Sequence, residues 1–157
     1  MRTRPSLALI QPRSRLGKLL VVPLSLAIVI MVPWYARSRY LPVAAAAAEV
    51  VHMELSRGEV SRVYADADER LRASASLGSV AARFEKVRQR LGDCRYSGPT
   101  RWGASVTLAG VFVTTTYRGL CTNGEPTETL KWHIVDGTAR LAAWHVDSQA
   151  LRDPPAK

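Results

Sequence analysis

The sequence predicts an α+β fold: an N-terminal transmembrane helix, then three helices packed on one face of a curved four-stranded antiparallel meander. Two observations place the meander and the helices. Between Arg101 and Val146, runs rich in Val, Thr, Ile, Tyr and Trp are punctuated by Asn123-Gly124 and Asp136-Gly137, with Ala109-Gly110 as a weaker third pair; such dipeptides between alternating apolar residues signal hairpins. Ahead of them, apolar residues recur at helical spacing. A third observation places the anchor: Leu19 to Ala36 is uncharged and dominated by Leu, Val, Ile and Met, near the lower limit of the roughly 17 to 25 residues that span a bilayer.

The length, 157 residues, allows one domain of ordinary size. Seven of its 22 basic residues precede Pro42 and all 13 acidic residues follow it, so +7 of the net charge of +9 lies in the N-terminal segment and the rest of the chain carries only +2. That removes the main support for a nucleic-acid partner. The segment reads instead as a membrane insertion signal. Its parts are a basic start (1–18), the span (19–36) and a short linker (37–43), with Trp34, Tyr35 and Tyr40 where an interfacial aromatic belt falls. Five basic residues before the span and only Arg37 and Arg39 close behind it put the N-terminus in the cytoplasm and the following domain outside the inner membrane. A cleaved signal peptide is the alternative, since Ala44 to Ala48 offers small residues, though Arg37 and Arg39 separate that run from the apolar core.

The domain is expected over 44–148, followed by a tail (149–157). Helices are expected over Ala44 to Arg57, with Gly58 as its stop, over Glu59 to Arg72, and from an N-cap at Ser76 to Leu91, with Gly92 ending it. Two-residue turns in the meander would set Val106 opposite Val113, Val113 opposite Ile134, Tyr117 opposite Leu130 and Trp132 opposite Leu141. One face then collects Trp102, Ala104, Val106, Leu108, Val111, Val113, Thr115, Tyr117, Leu130, Trp132, Ile134, Ala139, Leu141 and Ala143 as core. The other is polar except for Phe112, Val135, Trp144 and Val146, which pack across strands or form a strip for a protein partner or a homodimer.

In an exported domain the pair Cys94 and Cys121 predicts a disulfide from the end of the last helix to the sheet, contributing on the order of 3 kcal/mol; two buried free thiols are the alternative. The same register puts Glu128 opposite His145 on the core face, with Tyr117 and Trp132 nearby. A carboxylate beside an imidazole in an apolar bowl suits acid-base work, or is a plain ion pair at the sheet end. These four residues are the candidate ligand-binding set, and Glu128, His145 and Tyr117 the weak catalytic candidates. His133 points to the other face and His52 lies on a helix, so the histidines suggest no metal site. The sequence implies no cofactor, and no Gly-x-Ser-x-Gly elbow is present.

The run ELSRGEVSRVYADADERLRASASLGSVAARFEKVRQRLG, followed by GVFVTTTYRGLCTNGEPTETLKWHIVDGTARLAAWHVDS, resembles small exported bacterial domains of the nuclear-transport-factor-like, ketosteroid-isomerase-like cone superfamily. The resemblance covers about Ala46 to Ser148. It lies in a Gly-acidic helix start with Tyr64 inside, the Leu91-Gly92 stop, Gly110 opening a strand, Glu128, and the closing Asp136-Gly137 hairpin. It implies a cone whose cavity holds a ligand or is filled, and it implies no reaction, because such folds host enzymes and non-enzymes alike. The isomerases' arrangement of carboxylate base, tyrosine and protonated acid has no match here. The sequence therefore favours a membrane-tethered, non-enzymatic module binding a small apolar ligand or a protein. The alternatives are a cone-fold isomerase or hydrolase using a Glu-His pair, and an accessory subunit of a membrane complex.

Overall fold

The computed structural model describes the backbone over 15–152 and side chains over 35–152. The expected span (19–36), the basic start and the last five residues of the tail lie almost wholly outside the described side chains. Among the described residues no helix is long and apolar enough to cross a membrane. The chain divides into two units, Met1–Tyr35 and Ala36–Lys157; the core and clefts below belong to the second.

Helix α1 (Arg15–Ser56) runs through Arg37–Pro42, where a linker was expected. It ends at Gly58, whose positive φ of 77° suits a residue without Cβ. The single helix expected over 59–72 is instead two, α2 (Val60–Asp66) and α3 (Glu69–Ser74), because Ala67 and Asp68 are extended. Asp68 earns that break chemically. Its side chain accepts from the backbone N–H of Arg70 and caps α3, while its own N–H donates to the carbonyl of Leu141 at 2.9 Å. Helix α4 (Leu77–Leu91) has the expected ends: the Ser76 hydroxyl accepts from the Ser79 N–H, and Gly92 terminates it.

The sheet is antiparallel with five strands, one more than expected: β1 (Cys94–Tyr96), β2 (Arg101–Thr107), β3 (Gly110–Cys121), β4 (Thr127–Val135) and β5 (Thr138–Asp147). Both β1 and β2 pair with β3, and the order continues β3-β4-β5. Cys94 pairs directly with Cys121, and the two form the expected disulfide.

Two expected registers move by two residues. Val106 pairs with Val111, Val113 with Trp132 and Tyr117 with Glu128. In each hairpin the glycine stands just after the turn's two central residues, not second within it: Gly110 (φ 118°) follows Leu108-Ala109, and Gly124 (φ 126°) follows Thr122-Asn123. The pull at Asn123 is tertiary. Its backbone N–H donates to Leu91 O and its side-chain amide to Arg90 O, satisfying carbonyls at the end of α4. A shift of two preserves side-chain parity, so the core face survives in β3 and β4. Asp136-Gly137 forms the expected two-residue turn with both φ positive, and Trp132 pairs with Leu141 as expected.

One irregularity breaks parity. Trp132 pairs with Leu141 but Lys131 with Ala143, leaving Ala142 as an extra residue in β5. Beyond it Trp144 pairs with Leu130 and Val146 with Glu128, while His145 pairs with Thr129 on the other face. The core joins Ala44, Ala48 and Val51 of α1 and Val63, Ala67 and Leu71 to Val113, Tyr117, Leu130, Trp132 and Leu141. Towards its turn the apolar face of β2 is left uncovered, contrary to expectation: Val106 is 79% exposed and Leu108 fully so, while Trp102 is half-buried with Arg37 of α1 over its ring. The turn end of an edge strand with one neighbour lies outside the ground these helices roof.

Candidate functional site

Glu128 points into the core at 1% exposure. Burying a carboxylate is costly unless donors replace its water, and two side chains do so. Trp144 Nε1 donates to Oε1 at 2.8 Å, and His52 Nε2 bonds Oε2. Both depend on elements outside β4. The extra residue in β5 turns Trp144 inward, and His52 follows Ala48 by one helical turn on the buried side of α1.

Two tyrosines frame the imidazole. Tyr96 stacks on it with centroids 4.3 Å apart, and Tyr117 meets it edge-on at 5.3 Å. Burial, reinforced by the Glu128 charge, holds both phenols above their ordinary pKa. The Tyr117 hydroxyl is buried, and the Thr115 side chain partly offsets the rise in its pKa. Tyr96 is carried by β1, which the disulfide anchors to β3.

The pair Glu128–His52 forms one wall of a cleft of about 550 Å³ between α1, α4 and β1, with Leu55, Phe84, Val87 and Trp144 supplying apolar lining. A second cavity of about 190 Å³, under α2 to α4, shares Leu55, Phe84 and Trp144 with it. Small-molecule sites begin at a few hundred cubic ångströms and are mainly apolar with a few placed polar groups. The larger cleft has that size, and its lining mixes Met53, Leu55, Phe84, Val87 and Trp144 with Glu49, Arg88, Asp93 and Arg95.

Of the expected set, Glu128 alone lines this cleft. His145 is on the opposite face of β5 and exposed, so the expected Glu128–His145 pair does not form; its place is taken by His52. Tyr117 stands behind His52, and Trp132 is core, its indole N–H donating to Thr115 Oγ1 at 2.9 Å. The expected outer strip is also absent. Trp144 turns inward, and Phe112, 7% exposed, lies beneath Arg70 and Lys131 with its ring stacked on His133. His52 was legible in principle: Ala48, His52 and Leu55 share one helical stripe, and a polar residue there calls for a partner.

A second carboxylate–imidazole pair lies at Asp68. Its Oδ2 accepts from His133 Nδ1 at 2.7 Å, and Arg70 donates to Oδ1 and to the Ala109 carbonyl. Burial raises the Asp68 pKa, but the Arg70 backbone N–H, His133 and the Arg70 guanidinium outweigh it and hold the carboxyl below its usual range. The imidazole edge fills the space beside Gly110, where a Cβ would overlap Nε2. This pair fastens the start of α3 to β4, and Arg70 fastens α3 to the β2–β3 turn. Among the described residues no group of His, Cys, Asp and Glu is arranged to hold a metal ion.

Compared with known proteins, no family model matches the chain, and neither a curated protein nor a solved structure matches it.

Proposed function

We propose that the domain is a non-enzymatic binding module of the cone type, tethered to the outer side of the inner membrane, whose α1–α4–β1 cleft takes a small, mainly apolar ligand. The observation that carries this is a buried carboxylate with one imidazole and one indole donor, set in the wall of a cleft where Leu55, Phe84, Val87 and Trp144 supply an apolar side. Such a site orients a ligand by one polar end and holds the rest by burial. The order of helices then meander supports the cone assignment. The uncharged 19–36 stretch and the disulfide support export.

The same pair could pass a proton in an isomerase or hydrolase, but Glu128 is occupied by two donors and Tyr117, the third expected catalytic group, is screened by His52. Binding without turnover is the reading these contacts favour. The test uses the full-length chain in phosphatidylglycerol nanodiscs and the neutral fluorophore N-phenyl-1-naphthylamine, read by energy transfer from tryptophan. Saturable binding is expected, above the partition into empty discs. Leu55→Trp, which fills the wall shared by the two cavities, should remove the saturable part while the fold persists by near-ultraviolet circular dichroism. Unsaturable partition alone, identical in the variant, would refute the cleft as a ligand site.

A further inference from the structure

We propose that the ligand carries an organic ammonium head, held among the rings of His52, Tyr96, Phe84 and Trp144 beside Glu128; this rests on the cleft being a ligand site, as proposed above. The rings come from four elements yet line one space. His52 and Tyr96 are stacked at 4.3 Å, and Phe84 and Trp144 are tilted at 43° with centroids 6.2 Å apart. Aromatic faces present negative potential, and a desolvated cation among several of them is the best case for that attraction.

The charges point the same way. The two hydrogen-bond partners of Glu128 are an indole and an imidazole, neither of them a Lys or Arg side chain. At the rim, Arg88 is engaged by Glu85 through two bonds at 3.0 and 3.2 Å. Arg95, the remaining guanidinium in the lining, shares it with Glu49 and Asp93 as well as Glu128, so carboxylates there outnumber guanidiniums three to two. An anionic head would meet a buried carboxylate with no buried cation, and a wholly apolar ligand would leave that carboxylate's field unused. A small inorganic cation fits poorly, because it needs several oxygen ligands and, among the described residues, no group of acidic or histidine side chains is arranged to hold one. An alkylammonium needs only apolar contact and one negative charge. The neighbouring cavity of about 190 Å³, which shares Leu55, Phe84 and Trp144, gives room for an alkyl tail.

The test compares three probes of one shape: choline, its uncharged isostere 3,3-dimethylbutan-1-ol, and the anion 3,3-dimethylbutanoate. They are titrated into the full-length, nitrogen-15-labelled chain in phosphatidylglycerol discs, which bring no ammonium head of their own. The readout is the Trp144 indole N–H resonance, since that proton is bonded to Glu128; Trp144→Phe assigns it. Choline should bind at least about fivefold more tightly than either isostere, the scale of a partly desolvated cation–π site. Glu128→Gln should bring that ratio towards one. Tyr96→Leu, which leaves the carboxylate in place, should lower choline affinity while sparing the alcohol, and keeps the idea testable if the Gln variant fails to fold. If the alcohol or the anion binds as well as choline while the naphthylamine still saturates, the ammonium head is wrong and the cleft reading stands. If neither the probes nor the naphthylamine saturates, both fall.

Discussion

At Asp68 one carboxylate caps α3, receives His133 and Arg70, and sits at 5% exposure. Its folded pKa lies below its unfolded one, so the ionised form is favoured by folding. The stabilisation is therefore complete above the unfolded value of about 3.9 and drains away as pH falls through the folded pKa. Asp68→Asn keeps the cap geometry and removes the titration. Its urea midpoint should be lower than the parent's at pH 7, and the gap should close as pH drops below about 4; a gap independent of pH would disprove the linkage. Residues of this kind were partly legible. Asp68 lay inside an apparently continuous helical stripe, and nothing local announced that a histidine 65 positions away would draw it out of the helix. At Glu128 the burial was legible and the partner was not. Alternation along a strand chooses a neighbour only while no residue is added, and β5 adds one.

That addition belongs to the scale of elements. Ala142 is unpaired between Leu141 and Ala143, and the parity of everything beyond it is reversed relative to simple alternation from Leu141. Deleting Ala142 would leave Trp132 opposite Leu141, Lys131 opposite the present Ala143 and Trp144 still facing Glu128. The deletion variant should fold with the Trp144–Glu128 bond intact, losing about 1 to 3 kcal/mol from local repacking. The Trp144 indole resonance checks this, and its disappearance from a folded variant would show that the extra residue places the ring as well as turning it. The hairpins teach a related point. Asn-Gly and Ala-Gly marked where the chain reverses, but Asn123 was claimed by the carbonyl end of α4 and Gly110 by the imidazole of His133. Each glycine slid one place, each register moved by two, and the faces held.

For the molecule as a whole, the order of helices and strands, the oily face of β3 and β4 and the disulfide were legible, because each follows from periodicity or from an even pair of cysteines. The roof was not. Three helical stripes say nothing of how far they reach, and the turn end of the apolar face of β2 lies beyond them. Two phenols packed in that roofed interior give the whole fold an alkaline limit. Tyr96 and Tyr117 have folded pKa values raised by burial, so the unfolded chain releases their protons first. Stability should hold below about pH 10 and fall as pH rises beyond it. Tyr96→Phe should flatten that decline in urea titrations between pH 9 and 11.5, whereas an unchanged slope would mean the ring is not the group responsible.

The cystine has a wider consequence. Strand β1 contributes only three residues to the ladder, and the sulfur link at Cys94 secures the segment that presents Tyr96 to His52. A chain kept in reductant would retain its hydrophobic interior and lose the tether on one side of the α1–α4–β1 cleft. Folding and the shaping of that wall would then come apart, with oxidation as the step that fixes Tyr96 beside His52.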